Sequence, residues 1–426
     1  MKSSTPMPNE IQLQIEKPVY GGDSLSRLPN PGGKPGKTVF VPLTLPGEAV
    51  SAHITEDKRS FFKAELDQIL TPSPNRVAPR CAHFGTCGGC QYQHADYPTQ
   101  LEIKKQILRE TLSRANVTTP AEIAVLAGEP WACRNRIRLA FTPTGDVAYR
   151  SRNSHDLIPI HECPIAAPIV AEIALDLRSI PGSVFDRKDP RNDLAEVELF
   201  TNQDSSELLI TFHAHSGNPI HRKLRFTSRE SSPQHRAEID DQPFLTYRVV
   251  GHDFRVPHGA FFQVNRHLLD DFATLVTDNH RGSVAWDLYA GVGLFARHLA
   301  QSFSRVIAVE SAPASRDALA YNLASTSSEP IAATTLDYLR RNREQREPRP
   351  DFITLDPPRA GLGDEVTSLL NAIGAPKMVY VSCDPATLAR DLRALTQERY
   401  RIDKITLVDM FPQTYHLETV VELSRS

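Results

Sequence analysis

Residues 284–295 read Val-Ala-Trp-Asp-Leu-Tyr-Ala-Gly-Val-Gly-Leu-Phe. An apolar run of strand length reaches Asp287, and a turn containing Gly291 and Gly293 leads into a helical segment. Glycine at those two positions lets the backbone turn tightly and approach a ligand closely. Working outward, RVIAVE (305–310), DFITLD (351–356) and MVYVSC (378–383) are further apolar runs, separated by segments of helical length. That alternation is the βαβ pattern of a parallel, doubly wound sheet. Beyond it, 402–408 and 419–424 read as two more strands, joined by a short polar loop and expected as an antiparallel pair at one edge.

Three of these strands end on acids: Asp287, Glu310 and Asp356. Open α/β sheets bind ligands outside the carboxyl ends of their strands, so the acids should border one site. Glu310 closes the second strand, where an acid can accept both ribose hydroxyls of a nucleoside. A dinucleotide would use the same layout, but the third glycine of the dinucleotide fingerprint is missing. With Asp356-Pro357-Pro358 closing a later strand, S-adenosyl-L-methionine becomes the better ligand.

Upstream the texture differs. Ile11, Leu13 and Ile15 alternate with polar residues, as do Val50, Ala52 and Ile54, which is the period-2 signal of half-buried strands. Turn residues such as Gly21-Gly22 and Pro46-Gly47 separate about five such strands, a pattern that predicts a small oligonucleotide-binding type of barrel. Residues 71–76, TPSPNR, read as a linker. Residues 101–114 have helical periodicity, 130–255 return to strand-like runs, and the charged, serine-rich stretch 227–240 reads as an exposed loop. The expected domains are therefore 1–72, 73–257 and 258–426.

The chain has 426 residues with 40% hydrophobic and 23% charged, a globular composition, and its 33 prolines predict frequent loops. No apolar stretch approaches the length of a membrane span or has the form of a signal peptide, so a cytoplasmic protein is expected. The net charge of −3 does not announce a nucleic-acid binder, although whole-chain charge averages over local patches. Arg134, Arg136, Arg138, Arg150 and Arg152 form such a candidate patch against the single acid Asp146.

Cys383 ends the strand MVYVS and precedes Asp384-Pro385 and a new helix, where a helix dipole can favour a thiolate. Uracil C5 is too weak a nucleophile to attack a methyl sulfonium unaided, but thiolate addition at C6 gives it carbanion character. The C5 proton must then leave, and Glu418, opening the last strand, is the candidate base. Asp356-Pro357-Pro358-Arg359 also resembles the motif of exocyclic-amine methyltransferases, yet Arg359 stands where their stacking aromatic belongs. A non-catalytic RNA-binding scaffold is the other alternative, and intact Cys383 and Glu418 argue against it.

Taken in order, Phe261–Asn265 (FFQVN), Asp287–Gly293, Leu355–Arg359 (LDPPR), Ser382–Pro385 (SCDP) and Pro412–Glu418 (PQTYHLE) resemble the motif series of the RNA 5-methyluridine methyltransferase family. The resemblance covers nearly the whole chain. It implies a Rossmann-like methyltransferase domain with a mostly parallel seven-stranded sheet, an N-terminal TRAM domain and a β-rich central domain. By the same resemblance Cys383 is the nucleophile and Glu418 the base. Gln263, Tyr289, Gly291, Gly293, Glu310, Asp337 and Asp356 are implied to bind the cofactor, and Phe261 to lie near the target base. Leu294 departs from the asparagine common after the second glycine, so any contact there would be by backbone. Arg134 is taken as the RNA-contacting member of the arginine run.

Cys81, Cys87, Cys90 and distant Cys163 supply four thiols, whose spacing suits either tetrahedral zinc or a [4Fe-4S] cluster. His83, His94 and His161 nearby would favour zinc. The resemblance favours iron, because the strings around these cysteines look like the ligands of the family's iron-sulfur branch, whose members methylate 23S ribosomal RNA. Ribosomal RNA is the expected partner, transfer RNA the alternative, and a monomer the expected state. Cys133 reads as packing.

Overall fold

The computed structural model describes residues 10–28, 36–177, 194–214, 219–226, 237–240, 242–344 and 349–426. The chain divides into two units. One takes in residues 1–107, Ser151–Ser154 and Gln413–His416; the other takes in Leu108–Arg150, His155–Pro412 and Leu417–Ser426.

In the first unit, β1 (Glu10–Gln14), β2 (Lys17–Pro18), β3 (Asp23–Arg27), β4 (Thr38–Pro42), β5 (Ala49–Asp57) and β6 (Phe61–Thr71) form a sheet in the order β1-β5-β6-β4-β3-β2. Register shifts along β5 and β6 mark bulges, which bend and twist a sheet toward a barrel. Leu13, Val39, Val41, Val50, Ala52 and Phe62 fill its interior. The segment 71–76 is not the free linker expected. The Arg76 guanidinium donates from Nε to Glu48 Oε1 at 2.5 Å and from Nη2 to Glu48 Oε2 at 2.8 Å, and Ser73 N donates to the same carboxylate at 3.1 Å. Glu48 is fully buried, and a buried carboxylate needs such partners. In the same unit, Gln91 N and Tyr92 N donate to Gln413 O, and the Gln100 side chain donates from Nε2 to Gln413 Oε1 and accepts at Oε1 from Gln413 N.

Helix α1 (Tyr97–Arg114) is followed by β7 (Ala124–Leu126) and then by the central sheet. This sheet comprises β8 (Arg136–Phe141), β9 (Val147–Arg150), β10 (Leu157–Pro159), β11 (Leu194–Thr201), β12 (Glu207–Ala214), β13 (Ile220–Phe226) and β14 (Ala237–Asp240). All its pairings are antiparallel, in the order β10-β9-β8-β11-β12-β13-β14. Alternation puts Ile137, Leu139, Val197, Leu199, Ile210 and Phe212 in one cluster with Ile169, Val170 and Ala174 of helix α2 (Pro168–Asp176). Of the expected loop 227–240, residues 227–236 lie outside the described residues and the remainder is strand β14. The hairpin of β15 (Phe244–Val249) and β16 (His252–Pro257) closes this region.

The remaining elements are α3 (Leu269–Thr277), β17 (Gly282–Leu288), α4 (Leu294–Leu299), β18 (Phe303–Glu310), α5 (Pro313–Leu323), β19 (Ser328–Ala332) and α6 (Thr335–Glu344). They continue with β20 (Phe352–Leu355), α7 (Gly363–Ile373), β21 (Lys377–Ser382), α8 (Pro385–Glu398), β22 (Tyr400–Val408) and β23 (Glu418–Arg425). The strand order is β19-β18-β17-β20-β21-β23-β22-β7, eight strands rather than seven. The additional strand is β7, which pairs in parallel with β22 through Ala124↔Thr406, Val125↔Leu407 and Leu126↔Val408. The antiparallel pair is therefore not an edge: β23 lies between β21 and β22, and β7 covers β22.

Candidate active site

Parallel pairing of β18, β17, β20 and β21 places Glu310, Asp287, Asp356 and Cys383 at or near the carboxyl ends of four neighbouring strands. Because β23 runs antiparallel to β21, with Ser382 opposite Thr419, its first residue, Glu418, arrives at that same end. Five chemistry-bearing side chains thus share one border of the sheet.

The turn after β17 is built by backbone conformation. Tyr289, Gly291 and Gly293 all have positive φ, +65°, +54° and +94°. A Cβ added at Gly291 would project into open space, with no atom within 4 Å, whereas one at Gly293 would strike Leu319 at 2.9 Å. Gly293 therefore serves close packing against α5, and Gly291 faces the space where a ligand can lie. Glu310 Oε2 accepts from Gly291 N at 2.8 Å and Glu310 Oε1 from Ala312 N at 2.5 Å. This acid and glycine cradle fits a nucleoside cofactor. Leu294 starts α4 and is buried, so its side chain takes the packing role.

Asp287 is fully buried. Its Oδ2 accepts from Ala296 N in α4, and its Oδ1 from Thr354 Oγ1 in β20, each at 2.8 Å. Burial pushes its carboxyl up to about 7. Burial and the neighbouring Asp287 likewise push Asp356 up to about 7. Glu418, 3% exposed, is raised well above the ordinary carboxylate range by burial and by Asp356. Two ionised carboxylates in one dry corner repel, which favours protonated forms.

Cys383 is half-buried directly before the N-cap of α8, where Asp384 Oδ1 accepts from Ala386 N and Thr387 N. The helix start expected from Asp384-Pro385 is present, but the thiol is not net favoured as a thiolate. Burial, Glu418 and Asp356 push it up to about 11, and Arg359 draws it back down.

The segment Phe261–Asn265 is held by residues 134–136. Asn135 N donates to Val264 O and Asn135 Nδ2 to Gln263 O, both at 3.0 Å, while Arg136 Nη1 donates to Ala260 O at 2.8 Å. Gln263 and Phe262 are buried, and Phe261 between them and the loop is left 63% exposed. Arg134 joins this ladder through its backbone, bridging to Asn265 and Ala166. The arginine run is otherwise engaged internally. Arg136 pairs with Glu198, Arg138 and Arg150 share Glu196, and Arg152 meets Glu65, so it is not an open cationic patch. Asp337 stands exposed in the first turn of α6, and its carboxylate accepts from Thr334 Oγ1 at 2.7 Å.

Cys81, Cys87 and Cys90 belong to the first unit and Cys163 to the second, and all four side chains are half-buried. Gly89 N donates to Cys87 Sγ at 3.4 Å, and Tyr149 Oη lies 3.6 Å from Cys163 Sγ. Among the described residues, no group of three or more His, Cys, Asp or Glu side chains is placed to hold a metal ion. His94 is buried, is held down to about 4 chiefly by that burial, and sits by Thr44 O. Cys133 is buried, and burial raises its thiol to about 12, as packing requires.

A glycine turn and a strand-end acid at the carboxyl border of a doubly wound sheet fit a methyltransferase that binds a nucleoside cofactor. The comparisons agree. Residues 221–338 and 344–426 match the tRNA (Uracil-5-)-methyltransferase family model, and residues 9–66 match the TRAM domain. An RNA methyltransferase of Streptomyces coelicolor is 31% identical over 97% of this chain and 92% of its own length. The 23S rRNA (uracil(1939)-C(5))-methyltransferase of Chromohalobacter salexigens is 32% identical over 97% of this chain and 89% of its own. The crystal structure of Pyrococcus abyssi tRNA (uracil-54, C5)-methyltransferase with S-adenosyl-L-homocysteine superposes with a TM-score of 0.74 at 25% identity, covering 97% of this chain and 100% of that one. The chain belongs to the RNA uracil-C5 methyltransferase family, with a TRAM domain ahead of its methyltransferase domain.

Proposed function

We propose that this enzyme methylates C5 of a uridine in 23S ribosomal RNA through a covalent bond between Cys383 and C6. The observation that carries this reading is the convergence of Cys383 and Glu418 at one sheet border from adjacent antiparallel strands. S-adenosyl-L-methionine supplies the methyl group as a sulfonium electrophile when bound. Gln263, Tyr289, Gly291, Gly293, Glu310, Asp337 and Asp356 are the residues proposed to hold it, with Glu310 taking the ribose hydroxyls. Phe261, held outward by Arg136 and Asn135, offers an aromatic face on which a flipped base can stack, and Arg134 is proposed to contact the RNA beside it.

In the reaction the Cys383 thiolate forms the S–C6 bond, and the C5=C6 electron pair moves to leave an enolate. The enolate pair at C5 would then form the bond to the methyl group, and the S–CH3 pair would leave on sulfur as S-adenosyl-L-homocysteine. Glu418 removes the C5 proton, the C–H pair re-forms C5=C6, and the S–C6 bond breaks to release the thiolate. A carboxylate with a raised pKa is a stronger base than an exposed one, which suits this last step. The iron-sulfur cluster is retained as a proposal on the resemblance of the strings around Cys81, Cys87, Cys90 and Cys163 to the family's iron-sulfur branch, with a structural role outside the reaction. Ribosomal RNA is favoured over transfer RNA by the higher identity of the 23S-modifying relative. Cytoplasmic location and a monomeric state complete the proposal.

A 5-fluorouridine at the target position tests the mechanism, because it leaves no proton at C5 to remove. The RNA should be trapped on Cys383 in the presence of S-adenosyl-L-methionine, and Cys383→Ser should abolish trapping. Mass spectrometry that placed the RNA on another residue, or on none, would overturn the covalent role. Incubating 23S ribosomal and transfer RNA separately and mapping 5-methyluridine decides the substrate.

A further inference from the structure

The loop after β20 carries Arg359, and three of its residues are tied to α8, the helix that follows Cys383. Thr387 Oγ1 donates to Arg359 O at 3.0 Å, Arg390 Nη2 donates to Ala360 O at 2.8 Å, and Leu362 N donates to Asp391 Oδ2 at 2.7 Å. Asp391 is the centre of this clamp. It is 1% exposed, and its Oδ2 also accepts from Tyr380 Oη in β21 at 2.8 Å, while its Oδ1 takes Arg390 Nε at 2.9 Å. Gly361 has φ +72°, and a Cβ there would lie 2.4 Å from Asp391 Oδ2 and 2.7 Å from Arg390 Nη2. The loop is thus pressed against the carboxylate where only glycine fits.

We propose that Asp391 is a positioning residue, which locks the loop 359–362 to the helix behind the nucleophile and so holds the Arg359 charge beside Cys383. A buried carboxylate is costly unless its oxygens are filled, and here the hydrogen bonds that fill them tie the loop 359–362 and strand β21 to α8. The charged groups acting on the thiol are Glu418 from β23, Asp356 at the end of β20 and Arg359 from the clamped loop. Arg359 is the cation among these three. If its loop drifts, the two carboxylates act unopposed and thiolate becomes scarcer. Nothing in the strand pattern would place Asp391, two helical turns beyond Cys383, in this role.

The proposal rests on Cys383 as the nucleophile, but its test needs no RNA. Full-length protein is treated with iodoacetamide across pH 7–10, and alkylation of the Cys383 peptide is followed by mass spectrometry. Asp391→Asn should slow alkylation at pH 8 about threefold or more and move its pH profile upward, as expected when a cation leaves a half-buried thiol. Arg359→Met should do the same, and the double variant should be no slower than the slower single one. Thr387→Val, which removes one tie at the loop, should shift the profile in the same direction and decides the matter if Asp391→Asn does not fold. An unchanged profile in the folded variants, or an Asp391 effect that simply adds to that of Arg359→Met, would overturn the proposal. Alkylation that behaves as expected while 5-fluorouridine fails to trap Cys383 would leave the clamp standing and remove the covalent role.

Discussion

Glu310 Oε2 and Gly291 N are joined at 2.8 Å, so the acid that ends β18 also fixes the glycine turn that follows β17. One carboxylate therefore shapes the turn proposed to cradle the cofactor. Glu310→Gln keeps the shape of the side chain but weakens a charge-assisted bond to the turn and to any ribose hydroxyl. Such bonds contribute about 1.5–3 kcal/mol, so affinity for S-adenosyl-L-homocysteine should fall about tenfold or more. Isothermal titration calorimetry gives the value, and an unchanged affinity would remove Glu310 from the cofactor site.

Glu418→Gln separates the two halves of the reaction. Addition by Cys383 and methyl transfer need no base at C5, whereas elimination does. A methylated protein–RNA adduct should accumulate and survive a denaturing gel, with turnover reduced about a hundredfold or more, the scale of general base catalysis. Near-normal turnover without adduct would assign proton removal to another group.

The buried Asp287 gives stability a pH dependence with a definite sign. Its folded-state value of about 7 lies above the ordinary value near 4, so the native protein binds this proton more tightly than the unfolded chain. The associated stability is complete below about pH 4 and is lost as pH rises through about 7. Asp356, also raised to about 7, adds the same sign. Asp287→Asn removes the titration, and the Thr354 hydroxyl can reverse to accept from the amide. Between pH 5 and pH 8 the melting temperature of the native protein should fall more steeply than that of the variant. Parallel curves would mean that Asp287 ionises normally.

Metal content is independent of the methylation chemistry. Protein purified without oxygen should be brown and carry about four irons per chain if the four cysteines hold a [4Fe-4S] cluster. Cys87→Ala should lose the colour, while alkylation of Cys383 stays as in the native protein. Stoichiometric zinc in place of iron, or no metal at all, would refute the cluster.

The methyltransferase sheet was legible because its strands are buried on both faces and so are written as unbroken apolar runs such as FITL and MVYVS. The positions of Asp287, Glu310, Asp356, Cys383 and Glu418 follow from that pattern, since each lies at a strand end. What lay outside it depended on distant pairing. Ala124–Leu126 is too short to announce a strand, and only the partner row Thr406–Val408 makes it one. The internal engagement of Arg136, Arg138 and Arg150 was equally hidden, because Glu196 and Glu198 reach them only through the antiparallel register of β8 and β11. Arg76 looked like part of a linker because its partner, Glu48, lies on the far side of a hairpin in sequence. The thiol of Cys383 was read from its helix start alone, and the neighbouring carboxylates that raise it come from two other strands.

The insertion of β23 between β21 and β22 also sets the order in which the sheet can be completed. During synthesis β21 emerges well before its neighbour, and β22 has no place in the sheet until Glu418–Arg425 has been made. Strand β7, made far earlier still, must wait for β22. Such long-range closure is slow and leaves unpaired edges exposed in the meantime. The same strand brings Glu418 to the site, so a growing chain that has already formed the Gly291 turn and Cys383 lacks the proposed base. On the proposed mechanism, catalytic competence coincides with closure of the sheet, and a half-folded chain that methylated a uridine would hold it as the covalent adduct.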